Sequence, residues 1–202
     1  MDNFDYFFGF YSIVLGLSVV EVLVGVARTI ENRKTRSPSR LTLLLAAFLA
    51  WDLSSYWLQA WFLYQQAPLS MAIITHGLVA AGCYFIAAYL IFPRSPKRAR
   101  GEGPDDHFWA TRRWVFGAVL LTNVLNVGTI ALLTGGFDFI GPPAMMVFTA
   151  SFYVACLIAF AAPRGRAAMG ALFWLLAYSV VAVGLDASRI VARGGWPIGP
   201  AG

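Results

Sequence analysis

Charged side chains are scarce in this chain: Asp, Glu, Lys and Arg make up 12% of its 202 residues, and 59% of the residues are hydrophobic. A soluble domain usually carries about 25% charged residues, so this chain has too few to cover a water-facing surface. It also lacks the ten-residue alternating segments that are typical of outer-membrane strands. The composition therefore predicts a helical membrane protein.

Several kinds of site are excluded because their residues are missing. The two cysteines, Cys83 and Cys156, both lie inside apolar stretches, where we expect small packing residues and neither a disulfide nor a metal site. The chain has no phosphate-binding loop, nucleophile elbow, HExxH motif or dinucleotide glycine motif. We therefore expect no metal and no cofactor, and no extramembrane catalytic domain.

Histidine and lysine are too few, or wrongly placed, for two common membrane cofactors. A haem with two axial histidines needs two membrane histidines, but only His76 lies in an apolar stretch, and His107 lies between two of them. A retinal Schiff base needs a membrane lysine, yet Lys34 and Lys97 are both in connecting segments. Both cofactors are therefore disfavoured.

Six apolar stretches account for most of the chain. Each is about twenty residues long, which is the length that crosses a bilayer core of about 30 Å as a helix. The first is not a cleavable signal peptide, since Asp2 and Asp5 stand where positive charge is required. We predict an all-α polytopic membrane protein, with one transmembrane domain over 1–202 and helices at 4–28, 41–64, 69–92, 113–134, 143–162 and 168–190.

The positive charges lie in alternate connections between these stretches. Thirteen of the 15 Lys and Arg residues fall between the first and second, third and fourth, or fifth and sixth stretches, and only Arg189 and Arg193 fall elsewhere. Because Lys and Arg favour the cytoplasmic side, we predict that both termini are extracytoplasmic and that segment 93–112 is a cytoplasmic loop. The basic loops could meet anionic lipid or a cytoplasmic protein, and no nucleic-acid partner is expected.

The strongest functional signal is a polar stripe in the second stretch. Asp52, Ser55, Tyr56 and Gln59 recur at the spacing of one helix face. Ionisable groups at bilayer depth are costly and often functional. The stripe either lines a hydrated pathway or a small-ligand site, or it forms hydrogen bonds to neighbouring helices.

Other polar side chains lie near the predicted level of this stripe. His76 in the third stretch could complete it, since the second and third helices must be antiparallel neighbours, and Tyr84 and Cys83 lie two turns deeper on the same side. Asn123 and Asn126 share a face of the fourth stretch and suggest a polar partner such as Asp52. For each, hydrogen bonding between helices is the alternative.

Charged residues near the span ends have plainer explanations. Glu21 either faces a cavity as a proton or cation site, or pairs with Arg28 or another interfacial arginine as an anchor. Asp186 and Arg189 are three residues apart, which allows a local ion pair.

Ser12 and Gly16 form a small-residue pair that would let another helix approach the first one closely.

Parts of the first 120 residues resemble an uncharacterised bacterial family of small six-helix integral membrane proteins. The resemblance rests on the segment from Ser12 through Glu21, Gly25 and Arg28, on Phe92-Pro93, and on Arg112-Arg113-Trp114. The chain departs from the family at 52–57, where the family has a Gln and Trp cluster. The resemblance implies the six-helix architecture and a bacterial inner-membrane location, and it carries no activity or site residues.

Two classes of function fit these observations. The first is a small channel or transporter, in one form proton-linked, with its path along Asp52, Gln59, His76 and Asn126 and with Glu21 at the cytoplasmic mouth. The second is a membrane sensor, scaffold or accessory subunit that acts through helix and loop contacts. A water-accessible Asp52 favours the first class, and a packed one the second. Six short helices enclose little space, so we expect a homo-oligomer, with a dimer favoured; an intramembrane enzyme using Asp52 and His76 stays a third hypothesis.

Overall fold

The computed structural model describes residues 3–34, 39–66, 70–94 and 103–192. In these ranges the chain is all-helical, and six helices are long and apolar enough to cross a membrane. They are α1 (Asn3–Glu31), α2 (Arg40–Gln66), α3 (Met71–Ile91), α4 (Asp106–Thr134), α5 (Pro143–Ala161) and α6 (Arg166–Ala192). Short 3-10 turns lie at Asn32–Lys34 and Asp138–Ile140. The helical architecture predicted from the apolar stretches is confirmed.

The helix boundaries agree with the sequence to within three residues, except at the start of α4. The sequence predicted a loop up to residue 112, but the helix begins at Asp106. Its 29 residues span about 43 Å at 1.5 Å per residue, so it extends well beyond a hydrocarbon core of about 30 Å. Phe108 is buried inside the bundle, and this burial explains why the helix continues.

The helix ends are fixed by local chemistry. Ser70 caps α3 by accepting a hydrogen bond from the Ile73 amide at 3.4 Å. Pro143 opens α5, where its missing N–H costs nothing. Gly135 ends α4 in the left-handed conformation (φ 77°), which glycine adopts without strain. Asp105, at the N-cap position of α4, makes no side-chain capping bond and accepts a hydrogen bond from the Ser39 hydroxyl at 2.6 Å.

Helix α2 lies at the centre of the bundle and packs against α1, α3, α4 and α6. Its core face is almost completely buried along its length, from Leu45 through Phe48 to Ala60. Consecutive helices run in opposite directions, since the ends of α1, α3 and α5 lie beside the starts of α2, α4 and α6. We call the end that holds Arg28, Arg33, Arg40, Arg113 and Arg164 the basic end, and the end where α1 begins and α6 ends the terminal end.

Two glycines bring helices into close contact. A side-chain carbon at Gly25 of α1 would overlap the ring of Phe92 at the end of α3, and one at Gly77 of α3 would come within 2.9 Å of the Phe7 ring. Gly16, predicted to be a site of close helix approach, is exposed with no neighbour within 4 Å of that position. Within the described part of the chain, α1 therefore approaches α3 closely at Gly25, and the approach of another helix to Ser12 and Gly16 stays a prediction.

Candidate functional site

Asp52 is buried in the middle of the bundle, where its carboxylate meets a tyrosine. It is 2% exposed, and its Oδ2 accepts a hydrogen bond of 2.7 Å from the hydroxyl of Tyr84, which is itself buried. The side chain of Asn123 also faces this carboxyl group. Asp52 of α2 is therefore hydrogen-bonded to α3 and lies near Asn123 of α4, and the hydrogen bond to Tyr84 meets part of the large cost of burying a carboxyl group.

The four-residue stripe divides into two parts in the folded bundle. Asp52 and Tyr56 are buried, whereas Ser55 is half-buried and Gln59 is exposed. The Ser55 hydroxyl donates to the Asp52 backbone carbonyl at 2.9 Å, within its own helix. Gln59 accepts a hydrogen bond of 3.0 Å from the side-chain amide of Asn126 on α4. Periodicity correctly grouped these residues on one side of α2, but their surroundings differ.

Asn123 and Asn126 have different hydrogen-bond partners in the folded bundle. Asn126 is buried and binds Gln59, so Asp52 is not its partner. Asn123 donates to the Val119 carbonyl of its own helix at 3.0 Å while facing Asp52. Its backbone carbonyl accepts a hydrogen bond from Tyr153 of α5 at 3.4 Å. Asn126 therefore links α4 to α2, and the backbone at Asn123 links α4 to α5.

A group of tyrosines occupies the terminal half of the bundle, and sequence reasoning did not identify it. The hydroxyl of Tyr64 lies 3.0 Å from Nδ1 of His76. The Tyr11 ring packs edge-on against Tyr64 with centroids 5.3 Å apart, and the Tyr56 ring lies 4.9 Å from Tyr84. We expected His76 to complete the stripe that contains Asp52 and Gln59. It instead contacts Tyr64, the first of a series of tyrosines that leads toward Asp52.

Asp52 and His76 do not form a catalytic pair. Tyr84, the partner of Asp52, is eight residues along α3 from His76, which corresponds to about 12 Å along the helix axis. Each of the two groups is bonded to a different tyrosine. Within the described ranges, no cluster of three His, Cys, Asp or Glu side chains is placed to hold a metal ion.

The bundle is closed by apolar packing between Asp52 and the basic end. Phe48 of α2 lies in contact distance of Phe116 on α4 and Phe152 on α5, with ring centroids 5.8 and 6.2 Å apart. Leu45 and Leu49 are also buried beside it. These side chains place an apolar layer between Asp52 and the basic end of α2.

Glu21 lies at the basic end and forms an ion pair with Arg94 at 3.2 Å. Arg94 also stacks over the ring of Tyr89 at 3.5 Å. Both charged side chains are partly exposed. This is the interfacial pairing that we gave as the alternative for Glu21, with Arg94 in place of Arg28.

Arg112 is a buried charged residue whose role the sequence did not reveal. Its guanidinium donates hydrogen bonds to the backbone carbonyls of Ala159 and Ala162, at the end of α5. These carbonyls have no partner within their own helix, and a cation is favoured at a helix C-terminus. Nearby, Arg164 pairs with Asp106 at 3.2 Å, so the start of α4 is bonded twice to the end of α5.

The remaining candidates contribute no further contact to this site. Asp186 is exposed, and the side chain of its expected partner Arg189 lies outside the described residues. Cys156 is buried and Cys83 half-buried, and both are free thiols. An apolar groove of about 650 Å³ lies between α5 and α6, and its lining includes the small residues Ala150, Ser151, Ala167 and Gly170.

Comparison with protein-family models, curated proteins and solved structures found no match to this chain.

Proposed function

We propose that this chain is a membrane sensor, scaffold or accessory subunit that acts through contacts between proteins, and not an open conduit. The observation that carries the proposal is the packing of Asp52, which is 2% exposed and held by Tyr84. A carboxyl group that lines an aqueous path needs water beside it, whereas one that joins helices needs a polar partner.

The other polar contacts of the bundle support the same conclusion. Asn126 joins Gln59 across α4 and α2, and Trp57 donates to the Ser12 hydroxyl across α2 and α1 at 3.1 Å. Hydrogen bonds of this kind stabilise helix pairs in membranes by about 0.6 kcal/mol on average. The lining of the groove between α5 and α6 includes small residues, which allow a helix of a partner or of a second copy to approach closely.

A channel or transporter, in one form proton-linked, is the second candidate. It is favoured by the polar groups that extend from His76 and Gln59 near the terminal end toward Asp52. In that case the packing of Phe48 against Phe116 and Phe152 must open toward the basic end. Asp52, Gln59, His76 and Asn126 would then line the path.

Placement in the membrane is part of the proposal. The charge distribution supports extracytoplasmic termini and a cytoplasmic basic end, and the family resemblance supports a bacterial inner membrane. Arg33, Arg113 and Arg164 are exposed at the basic end and suit contacts with anionic lipid or with a cytoplasmic protein. We retain a homo-oligomer, with a dimer favoured, as an expectation.

Cysteine accessibility tests the proposal. In a background without Cys83 and Cys156, we expect Asp52→Cys and Ser55→Cys to resist a membrane-impermeant maleimide applied from either side. Arg33→Cys, at an exposed position, is the control that must react. All three variants must react after denaturation, which shows that each thiol is present.

Flux measurements in liposomes decide between the two candidates. We expect liposomes that contain the purified protein to pass protons and small ions no faster than empty liposomes. Labelling at position 52 from water, together with a flux that Asp52→Asn abolishes, would overturn the proposal in favour of transport. Flux that Asp52→Asn leaves unchanged would show that transport does not depend on Asp52.

A further inference from the structure

The side chains between His76 and Asp52 form a line of polar groups with defined contacts at both ends. At the terminal end, His76 Nδ1 lies 3.0 Å from the Tyr64 hydroxyl. At the other end, the Tyr84 hydroxyl lies 2.7 Å from Asp52 Oδ2. The hydroxyls of Tyr11 and Tyr56 lie between these two contacts. Most of the core around this line is apolar and aromatic, and the buried polar residues Thr122 and Asn126 of α4 also belong to it.

The middle of the line contains unsatisfied polar atoms. Tyr11 and Tyr56 are 2% and 1% exposed, and within the described part of the chain neither hydroxyl has a hydrogen-bond partner of ordinary geometry. Both nevertheless interact electrostatically with each other and with Tyr64. A buried polar group without a partner costs about 1–3 kcal/mol, so two neighbouring ones need a physical explanation.

We propose that these groups form a proton relay from the terminal end of the bundle to Asp52. The order is His76, Tyr64, Tyr11 and Tyr56, Tyr84 and finally Asp52. The hydroxyls of Tyr11 and Tyr56 complete the relay when they rotate toward each other or share one bound water molecule. Such a water molecule would satisfy both hydroxyls at once. Hydroxyls suit this role because each is a donor and an acceptor.

The proton balance along the relay is simple. His76 is half-buried near the terminal end, and within the described residues its Nε2 is a further buried atom without a hydrogen-bond partner. This nitrogen takes the proton when a water molecule reaches it. Each hydroxyl then accepts one proton on one side and releases one on the other. The carboxylate of Asp52 receives the last proton from Tyr84 and becomes a neutral carboxyl group. Return of the proton reverses every step, and no oxidant or other reactant is needed.

The relay connects Asp52 to the terminal end of the bundle. In the other direction along α2, Leu45, Phe48 and Leu49 are buried and apolar, and their side chains provide no hydrogen-bonding group. The inference goes beyond the proposed function and holds for a sensor or for a transporter. Its readout is the protonation of one carboxyl group, so its failure is distinguishable from the outcome of the flux measurements.

Infrared spectroscopy of the protein in liposomes tests the relay. The carbonyl band of protonated Asp52 is assigned by its loss in Asp52→Asn, and its growth is followed after a drop in pH on one side. We expect rapid growth after a drop at the terminal end. Tyr11→Phe and Tyr56→Phe each remove one hydroxyl and keep the ring, and we expect each to slow the growth about a hundredfold, the scale that a positioned proton-transfer group contributes.

Tyr89→Phe is the matched control. Tyr89 is an exposed tyrosine of α3 that lies under Arg94 and off the relay, so removal of its hydroxyl should leave the rate unchanged. The relay is overturned if Asp52 is protonated at the wild-type rate in both Tyr11→Phe and Tyr56→Phe. It is also overturned if a drop in pH at the basic end protonates Asp52 equally fast, or if the Asp52 carbonyl band never responds to pH. Thermal unfolding of each variant confirms that it is folded, and Tyr64→Phe substitutes for any variant that is not.

Discussion

At the scale of single residues, Gly25 controls how closely α1 approaches α3. A β-carbon there would overlap the Phe92 ring, so we expect Gly25→Ala to lower the free energy of unfolding by about 1–3 kcal/mol, as overpacking does in cores. Gly16→Ala places the same methyl group on the same helix in open space and should change stability by about 0.5 kcal/mol or less. Unfolding of purified protein in mixed detergent micelles measures both.

A second substitution separates overlap from a general intolerance of α1. Phe92→Leu removes part of the ring that Gly25 faces, so the double variant should lose less stability than the sum of the two single variants. Additive losses would contradict the overlap, as would equal losses for Gly25→Ala and Gly16→Ala.

Single residues also show what the sequence reveals about the candidate site and what it conceals. Asp52 stands out because a carboxyl group inside an apolar stretch is costly, and Asn123 faces it as expected. Tyr11 and Tyr64 do not stand out, because tyrosine is common both in cores and at membrane interfaces. Their contacts depend on how α1 and α2 are rotated about their axes, and the weak periodicity of largely apolar helices does not determine that rotation.

At the scale of helices, Arg112 joins α4 to α5. We expect Arg112→Ala to lower the free energy of unfolding by about 2 kcal/mol, since it removes hydrogen bonds from a charged donor to two carbonyl groups at a helix end. Arg112→Lys should recover only part of the loss, because a lysine lacks the planar fork that reaches both carbonyls. Chemical unfolding in detergent measures the series.

Arg113 provides the control for this prediction. It is the next residue in the chain and carries the same charge, but it is exposed, so Arg113→Ala should change stability by about 0.5 kcal/mol or less. An equal loss for both variants would mean that net charge at the basic end matters and that the carbonyl contacts do not.

The same region explains why one helix boundary was missed. Length and hydrophobicity predicted the other boundaries closely, because a helix that crosses a bilayer must satisfy its backbone internally over a fixed distance. Residues 106–112 contain charges that normally mark a loop. They form a helix here because Phe108 is buried in the bundle and Arg112 binds the end of α5, and both contacts depend on tertiary structure.

At the scale of the whole molecule, the charge distribution makes orientation the most direct prediction. We expect alkaline phosphatase to be active when fused after residue 202 and inactive when fused after residue 100, and we expect green fluorescent protein to show the reverse. The reason is that 13 of the 15 positive charges lie on the side of residue 100, and positive loops are retained in the cytoplasm.

Arg189 and Arg193 are the two charges that oppose this orientation, and they provide its internal control. If the bias of 13 to 2 determines the topology, replacing both by glutamine should leave every fusion result unchanged. If the wild-type fusions give the reverse of the expected pattern, the whole molecule lies in the membrane with the opposite orientation. The relay would then connect Asp52 to the cytoplasm, and Glu21 and Arg94 would face the other compartment. The orientation therefore decides which compartment supplies the proton that His76 receives.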